Sequence, residues 1–364
     1  MIDFHGKMMR RALALARRGL GRTSPNPAVG CVIVRNGEII GEGWHRKAGT
    51  PHAEVHALRQ AGDRALGSDV YVTLEPCSHH GRTPPCAEAL IAAGVTRVFA
   101  GMTDPNPLVS GKGLAMLRNA GIAVECGILE DQCRLVNEAF VKHVTTGMPF
   151  VILKSAMTLD GKTATVSGDS KWVTCEESRR YVHALRSKVD AIMVGVGTVL
   201  ADDPQLTCRM VRGKDPVRVV VDSRLRTPPE AALFHLDSRA ATILATVERD
   251  AGKNAAVQRL GAETLLCSES EGRVDLSDLL RRLGARGIQS ILLEGGRELV
   301  GSAVRNGLVD KFMFFYAPKI IAGEDGYGLC SGRGIERMGD ALRLHTTSVR
   351  RFGEDFLVIG YPER

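Results

Sequence analysis

The stretch YVTLEPCSHHGRTPPC, residues 71–86, joins a predicted strand to a predicted helix through a loop rich in cysteine, histidine and proline. Farther upstream, the segment PHAEVH opens another predicted helix. Zinc prefers Cys thiolate and His nitrogen ligands, and a catalytic zinc keeps one position open for water. His52, Cys77 and Cys86 supply three such ligands, and Glu54 follows His52 closely as a candidate general acid/base. The two segments therefore predict a catalytic zinc site where a strand ends and two helices begin.

The spacing departs from the general pattern of zinc nucleobase deaminases, which is H-x-E followed by P-C-x-x-C. Cys77 and Cys86 stand much farther apart here, so the turn residues between them would have to fold the loop back. The start of a helix carries partial positive charge, which favours the thiolate form of Cys86. A structural zinc site is the alternative, because such sites recruit four protein ligands and His79 or His80 is available.

Strands and helices alternate on both sides of this loop. An amphipathic first helix has apolar residues at helical spacing, and the strand AVGCVIV then leads into a hairpin that turns at Asn36-Gly37. A helix ended by Gly62, the strands DVYVTL, RVFAGM and AVECGI with helices between them, and a last helix at Asp131–Val144 complete this part. Strands separated by helices predict a mostly parallel sheet covered on both faces.

A second series of elements begins after the segment TTGMP. Strands are predicted at FVILKSA, DAIMVGV, VRVVVD, ATILATV, ETLLC and SILLEGG, with helices after most of them. The last three strands, KFMFFYAP, RLHTTSVRRF and DFLVIG, have no helix between them, which predicts an antiparallel edge on a parallel sheet. The chain thus divides into two α/β domains, at residues 1–147 and 148–364.

Composition limits the class of protein. With 364 residues, 44% hydrophobic and 24% charged, the chain is typical of a soluble two-domain protein. A net charge of +7 without a basic run, and only 5% aromatic residues, argue against nucleic-acid binding and favour phosphorylated small molecules. Nine cysteines without a framework spacing and no long apolar run predict a cytoplasmic protein with no membrane partner.

Four motifs of the first part, TSPNPAVGCVIV, HAEVHAL, VTLEPCSHHGRTPPC and DPNPLVSGKG, resemble the bifunctional deaminase–reductase family of riboflavin biosynthesis. In the second part, KSAMTLDGKTAT, GDSKWVT, VGVGTVLADDPQLTCR and LLEGGREL resemble the reductase domain of the same family. The resemblance covers nearly the whole chain. It implies a cytidine-deaminase-like three-layer domain followed by a dihydrofolate-reductase-like α/β domain.

The resemblance also implies two successive reactions. The first is zinc-dependent hydrolytic deamination of a diaminopyrimidinone ribosylamine 5′-phosphate. The second is NADPH-dependent reduction of the ribosyl side chain of the resulting aminouracil to a ribityl chain. The cofactors would be Zn²⁺ and NADPH, the partner a phosphorylated pyrimidine, and the assembly a homo-oligomer.

The resemblance implies specific roles for residues that match the family's motifs. In the first part the zinc ligands are those named above, Glu54 is the general acid/base, and the substrate contacts are Asn26, His45, His79 and, for the phosphate, Arg82. The residues implied for the cofactor are Ala156, Trp172, Thr198, Asp202, Ser223 and Gly296. The residues implied for the second substrate are Lys162, Ser170, Arg186, Leu206, Arg209 and Glu294, with Arg186 and Arg209 as phosphate anchors and Lys162 polarising the reacting end.

Other interpretations stay open from the sequence. The second part has no G-x-G-x-x-G after a strand, and its glycine turns VGVGT and EGGREL follow apolar strands, as a site for a dinucleotide phosphate or an ordinary α/β turn would. Trp172 also suits a packed lid, Asp202 a turn, and Arg186 the stabilising cation at a helix end. The alternative functions are a zinc nucleoside or tRNA deaminase with an unrelated C-terminal domain, and a zinc-stabilised ligand sensor without catalysis.

Overall fold

The computed structural model describes residues 4–79, 84–107 and 109–363. The chain forms two compact units, Met1–Gly147 and Met148–Arg364. Each unit has its own sheet, with helices that connect most of its parallel strands.

The first unit combines helices with short strands. Its helices are α1 (Phe4–Ala16), α2 (Ala53–Ala61), α3 (Cys86–Ala92), α4 (Lys112–Asn119), α5 (Glu130–Val136) and α6 (Glu138–Thr146). Its strands are β1 (Gly30–Arg35), β2 (Glu38–Trp44), β3 (Asp69–Val72), β4 (Arg97–Ala100) and β5 (Ala123–Cys126). Short 3₁₀ turns follow the first two helices, at Arg17–Gly19 and Gly62–Ala65.

The five strands form one sheet in the order β2-β1-β3-β4-β5. The pairs β3–β4 and β4–β5 are parallel, whereas β1 pairs with both β2 and β3 in antiparallel fashion. The prediction of a mostly parallel sheet therefore holds for β3, β4 and β5 and fails at β1, because the hairpin places β1 between β2 and β3 in the opposite direction. The predicted turn is confirmed, since Asn36 and Gly37 both have positive φ angles, as a tight two-residue hairpin requires.

Two helices lie directly on the strand backbone. A Cβ atom at Gly30 would come within 2.0 Å of the Ala12 carbonyl oxygen in α1. A Cβ atom at Gly43 would come within 2.1 Å of the Ala53 carbonyl oxygen in α2. Glycine at position 30 lets α1 pack closely against β1, and glycine at position 43 does the same for α2, whose N-cap is His52, against β2.

The last helical segment is interrupted, where the sequence predicts one continuous helix. Asn137 separates α5 from α6 and has φ −112° and ψ 23°. Its buried side-chain amide accepts a hydrogen bond from the Ala28 N–H (2.8 Å) and donates one to the Ala28 carbonyl (3.0 Å). The amide thus forms hydrogen bonds with both the N–H and the carbonyl of Ala28, more than a hundred residues away in the sequence. Local hydrophobic periodicity does not predict a contact of this kind.

The second unit is built on a larger sheet. Its principal strands are β6 (Phe150–Thr158), β8 (Ala191–Gly195), β9 (Val217–Val221), β10 (Thr242–Thr246), β11 (Glu263–Leu266), β14 (Ser290–Glu294), β15 (Lys311–Ala317), β17 (Leu344–Phe352) and β18 (Asp355–Pro362). Short strands are β7 (Lys162–Ala164), β12 (Glu269–Ser270), β13 (Arg273–Val274) and β16 (Tyr327–Gly328). The helices are α7 (Glu176–Arg186), α8 (Val196–Asp202), α9 (Ala251–Arg259), α10 (Leu276–Ala285) and α11 (Arg297–Arg305), with 3₁₀ turns at Ala232–Phe234 and Met338–Asp340.

The nine principal strands are ordered β11-β10-β9-β8-β14-β6-β15-β18-β17. From β11 to β15 every pairing is parallel, and β18 then pairs with β15 and β17 in antiparallel fashion. The predicted antiparallel edge is confirmed. In a parallel sheet the carboxyl ends of the strands share one edge, which is where such folds bind ligands.

The predicted amphipathic first helix is also confirmed, since α1 buries Met8, Met9, Ala12, Leu13 and Ala16 along one face. Within the described residues, each helix is too short or too polar to cross a membrane.

Candidate functional site

The first unit brings the three predicted metal ligands together. The donor atoms of His52, Cys77 and Cys86 all lie within 4.8 Å of one another. His52 Nδ1 is 3.3 Å from Cys86 Sγ and 3.6 Å from Cys77 Sγ. His52 caps α2, Cys86 is the first residue of α3, and Cys77 lies in the loop after β3. Cys77 and Cys86, at the two ends of the loop, therefore lie close together, as convergence of the two thiolates requires.

The electrostatics of the cluster suit a cation. Hydrogen bonding by Cys86 lowers the pKa of Cys77 to about 4, with further help from His52, although burial opposes the shift. The same bond raises the pKa of Cys86, so the pair holds one thiolate in the metal-free protein. The backbone N–H of Cys86 also donates to Cys77 Sγ (3.2 Å). A soft, partly ionised N/S donor set of this kind fits Zn²⁺.

Among the described residues the cluster has three ligands. His79 is exposed and is not part of it, whereas His80 lies outside the described residues. Glu54 is buried beside the cluster, and its Oε2 has no hydrogen-bond partner in the described structure. Burial raises the pKa of Glu54 to about 7, and the charge of Cys77 adds to the effect. A carboxyl group with that pKa both accepts and donates a proton near neutral pH.

Two further predicted residues border the cluster. The imidazole of His45 packs edge-on against that of His52, with 5.1 Å between ring centroids. Its Nδ1–H donates to the Pro51 carbonyl (3.3 Å), and its Nε2 accepts from the Asn26 amide (3.2 Å). Burial lowers the pKa of His45, which keeps the ring neutral. Asn26 and His45 therefore form one hydrogen-bonded pair at the metal cluster, while Arg82, predicted to meet the phosphate, lies outside the described residues.

Sequence reasoning missed Glu75, which holds the loop on the other side of the site. Its buried carboxylate accepts hydrogen bonds from four backbone N–H groups, those of Asp104 (3.0 Å), Gly111 (2.9 Å), Gly113 (2.8 Å) and Leu114 (3.3 Å). It thereby ties the DPNPLVSGKG segment and the start of α4 to the loop that carries Cys77. The only signal in the sequence is an acidic residue placed between the apolar end of a strand and a proline.

The second unit contains a cavity of about 1740 Å³ at the carboxyl ends of its parallel strands. The predicted residues that line it are Ala156, Ser170, Trp172, Arg186, Thr198, Asp202, Leu206, Arg209, Ser223, Glu294 and Gly296. The volume exceeds that of ordinary ligand pockets, as binding of a dinucleotide together with a second small molecule requires.

Lys162 is the exception among the predicted residues of this unit. It is absent from the cavity wall, and its ammonium group donates to the Gly326 carbonyl (3.3 Å). Lys154 lines the cavity instead and was missed by sequence reasoning. A lysine within the apolar strand FVILKSA was the available signal, because a buried cation in a strand requires a partner.

A buried charge cluster forms one wall of the cavity. Arg186 donates through Nε and Nη2 to the two carboxylate oxygens of Glu294 (2.8 and 3.1 Å) and through Nη1 to the Thr207 carbonyl (3.0 Å). Lys154 Nζ lies 3.6 Å from the same carboxylate. Burial alone would raise the pKa of Glu294, but Arg186 and Lys154 outweigh it and bring the pKa to about 2. Burial lowers the pKa of Lys154.

Arg186 is therefore held mainly by the protein, whereas Arg209 has more freedom to meet a ligand. Burial and the nearby Arg186 lower the pKa of Arg209, so an anion there would relieve the repulsion between the two cations. Arg209 is thus the better placed of the two predicted phosphate anchors.

The glycine turns form a narrow cradle in the same cavity. Gly295 and Gly296 both have positive φ, and Gly296 precedes α11 as its N-cap. A Cβ atom at Gly295 would lie 3.2 Å from Thr198 Oγ1, and one at Gly296 would lie 3.3 Å from the Gly195 nitrogen. Free N–H groups at a helix start suit a phosphate of a dinucleotide. At another wall, Trp172 stacks under the Arg179 guanidinium, 4.5 Å from the ring centroid, and is 58% exposed.

Comparisons with known proteins give consistent results. The family model for the cytidine and deoxycytidylate deaminase zinc-binding region matches residues 2–102, and that for the RibD C-terminal domain matches residues 149–358. The riboflavin biosynthesis protein RibD of Actinobacillus pleuropneumoniae is 48% identical over 96% of this chain and 93% of its own length. The Escherichia coli protein of the same name is 45% identical over 95% of this chain and 96% of its own length.

Solved structures agree with these matches. The Acinetobacter baumannii RibD structure is 40% identical, covers both chains completely and superposes with a TM-score of 0.90. A Thermotoga maritima diaminohydroxyphosphoribosylaminopyrimidine deaminase/5-amino-6-(5-phosphoribosylamino)uracil reductase is 38% identical over 99% of each chain, with a TM-score of 0.89. The predicted order, a deaminase-like domain followed by a reductase domain, is confirmed.

Proposed function

The chain belongs to the RibD family of riboflavin biosynthesis proteins, and from this premise we propose how its two units divide the chemistry. It is a bifunctional deaminase and reductase with a zinc-binding deaminase domain. We assign deamination to residues 1–147 and reduction to residues 148–364. The substrate of the first reaction is the diaminopyrimidinone ribosylamine 5′-phosphate, and the second reaction reduces the ribosyl chain of the product with NADPH.

The observation that carries the deaminase assignment is the Oε2 atom of Glu54, which is buried beside three convergent ligands and has no hydrogen-bond partner among the described residues. His52, Cys77 and Cys86 would hold zinc, which supplies Lewis acidity and an activated water when bound. Glu54 takes up the proton lost by the water and returns it to the departing ammonia, which its raised pKa permits. The Asn26–His45 pair orients the pyrimidine, and we keep the substrate-binding roles that the family resemblance implies for His79 and Arg82.

The reductase assignment rests on the cavity of the second unit. NADPH supplies the hydride, and the glycine cradle with Ala156, Trp172, Thr198, Asp202 and Ser223 would hold it. Lys154 takes the polarising role predicted for Lys162, because Lys154 lines the cavity and its ammonium group lies 3.6 Å from the Glu294 carboxylate. Arg209 binds the substrate phosphate with Arg186 behind it, while Ser170 and Leu206 complete the wall.

The cellular compartment and the oligomeric state of the protein remain proposals. The nine cysteines are all free thiols, which supports a reducing cytoplasm. Strand β17 is an edge strand of the large sheet, and its residue Val349 is exposed. An edge strand of this kind supports association of identical chains. We therefore expect a cytoplasmic homo-oligomer that acts on small molecules and binds neither nucleic acid nor membrane.

The test of the deaminase assignment is Glu54→Gln. Because the substitution removes the proton carrier and leaves the ligands intact, ammonia release should fall by roughly 10²- to 10⁴-fold while zinc content stays at the wild-type level. NADPH oxidation with the deaminated substrate should not change. Glu38→Gln, at an exposed carboxylate of β2, is the control and should leave both reactions unaffected. Wild-type ammonia release in Glu54→Gln would refute the assignment.

The alternative, a zinc nucleoside or tRNA deaminase with an unrelated C-terminal domain, is not favoured. The match to the RibD C-terminal domain spans residues 149–358, which is nearly all of the second unit. The non-catalytic sensor is also disfavoured, because the metal cluster has three ligands within the described residues rather than four.

A further inference from the structure

The wall of the reductase cavity is rich in arginine, and most of these side chains already have a partner within the protein. The pairs are Arg179 with the Trp172 ring, Arg186 with Glu294, Arg273 with Glu298, Arg297 with the Tyr327 ring and Arg305 with the Ser331 carbonyl. In the described structure, the lining arginines without such a partner are Arg209, Arg224 and Arg226. Arg209 is assigned above to the substrate phosphate, so two free guanidinium groups remain without a role.

Arg224 and Arg226 lie in the turn that follows β9. Asp222 closes this turn, because its carboxylate accepts hydrogen bonds from the N–H and the hydroxyl group of Thr227 (2.8 Å each). Within the turn, the Leu225 N–H donates to the Asp222 carbonyl (3.3 Å). Both arginines are exposed and line the cavity. The backbone of the turn is therefore held by its own hydrogen bonds, while its two guanidinium groups are accessible to a ligand.

The place of this turn in the sheet indicates which part of a dinucleotide it meets. Lys154 lies on β6, the glycine cradle lies where β14 and β8 end, and Ser223 follows β9. These strands are neighbours in the order β6-β14-β8-β9, with about 4.8 Å between adjacent strands. A dinucleotide that reacts beside Lys154 and places its pyrophosphate at the cradle has its adenosine end on the β9 side.

The chemistry at the end of β9 favours a phosphate over a hydroxyl group. Sites for NAD offer a carboxylate to the 2′-hydroxyl of the adenosine ribose, whereas sites for NADP offer an arginine to the 2′-phosphate. The carboxylate available here, that of Asp222, is fully buried, bound to Thr227 and absent from the cavity wall. Ser223 Oγ accepts from the Val274 N–H (3.1 Å), which leaves its own hydrogen to donate to a ligand.

We propose that Arg224 and Arg226 bind the 2′-phosphate of NADPH and make the reductase select NADPH over NADH. Guanidinium groups suit this role, because they carry a fixed positive charge and offer paired donors to phosphate oxygens. Ser223 adds a hydroxyl donor to the same phosphate. The inference rests on the proposed reductase function of this cavity. It names the residues that distinguish two cofactors whose difference is that one phosphate.

Binding of NADPH and of NADH to the full-length protein, followed by the fluorescence of the reduced nicotinamide, tests the inference without turnover. Arg224→Gln and Arg226→Gln should each raise Kd for NADPH about tenfold or more, because each substitution removes charge-assisted hydrogen bonds to the phosphate. Kd for NADH should stay at the wild-type value. The control is Arg239→Gln, at an exposed arginine of the same unit outside the cavity wall, which should leave both constants unchanged.

Steady-state kinetics provide a second measurement. In each variant KM for NADPH should rise by the same factor as Kd, whereas kcat, KM for NADH and KM for the deaminated substrate should not change. Equal weakening of both cofactors would mean that the arginines bind a group that the cofactors share, and unchanged binding of both would mean solvated surface cations. Either result overturns the inference. A wild type that binds neither cofactor would refute the proposed function itself, and the inference with it.

Discussion

Replacing Glu294 with Gln should destabilise the second unit strongly. The Glu294 carboxylate accepts two hydrogen bonds from Arg186 and lies 3.6 Å from the Lys154 ammonium group. All three side chains are mostly buried. Glutamine has nearly the same shape but no charge. The substitution would leave two buried cations close to each other without the negative charge of the carboxylate. Buried charges without a partner strongly destabilise the folded state.

The magnitude follows from the pKa of Glu294. Its value of about 2 lies below the ordinary 4.5, a shift worth roughly 3 kcal/mol at about 1.36 kcal/mol per unit. Removing one partner of a buried ion pair costs about 3–5 kcal/mol, in agreement with that figure. For a unit of this size each kcal/mol lowers Tm by about 2–4 °C. The expected loss is therefore about 6–12 °C.

Calorimetry of the full-length protein is the suitable measurement, with the transition of the second unit identified by its upward shift when NADPH is added. The matched control is Glu298→Gln, since Glu298 pairs with Arg273 at 2.7 Å and both side chains are mostly exposed. Exposed pairs contribute at most about 1 kcal/mol, so this variant should shift Tm by about 4 °C or less. Equal shifts in the two variants would refute the argument that burial makes the Glu294 cluster costly to break.

The pH dependence gives an independent check of sign. A carboxyl group whose pKa is lowered on folding contributes stability that is fully present above its unfolded pKa, here about 4.5, and is lost as pH falls towards 2. The difference in Tm between wild type and Glu294→Gln should thus be constant from pH 6 to 8 and shrink below pH 4.5. A difference that grew on acidification would contradict the assigned charge state.

Three further outcomes are expected. Gly113→Ala places a Cβ atom 1.9 Å from the Pro76 carbonyl oxygen, so it should lower zinc retention and ammonia release, whereas Gly252→Ala meets only a side-chain oxygen at 3.2 Å and should not. Lys154→Met should reduce NADPH oxidation by about 10²-fold or more, and Lys162→Met by less than tenfold, as steady-state kinetics would show. Chelation of zinc should abolish ammonia release and leave NADPH oxidation with the deaminated substrate intact, measured in parallel on one preparation.

The convergence of His52, Cys77 and Cys86 was predictable, because His and Cys are the residue types that bind zinc and the segments resemble those of the deaminase family. His52 and Cys86 lie at the starts of helices that the hydrophobic periodicity predicts. Cys77 lies in the same loop as Cys86, and a pair of nearby cysteines indicates a metal site. The parallel strands of the second unit were also predictable, because apolar runs with helices between them usually form a parallel sheet. Both features can be predicted from short segments of the sequence.

The features that sequence reasoning missed depend on distant pairing. The antiparallel contact of β1 with β3 is set by where the hairpin enters the sheet, which neither strand encodes by itself. Glu75 is important because it satisfies N–H groups at the start of α4, about forty residues later. Lys154 and Lys162 are both plausible cations in the sequence, and only the fold shows that Lys154 lines the cavity and Lys162 does not.

The polar residues of the two sites fall into two energetic classes, which should respond differently to substitution. Glu75 and Glu294 have all their principal interactions within the protein, so replacing them removes stability and activity together. Glu54 has a buried carboxylate oxygen with no hydrogen-bond partner among the described residues, so the folded state bears a cost that zinc, water or substrate can relieve. Removing that atom should reduce function without reducing the free energy of unfolding, because nothing in the protein loses a bond. Residues of the second class are therefore the ones where a loss of activity can be assigned to chemistry rather than to folding.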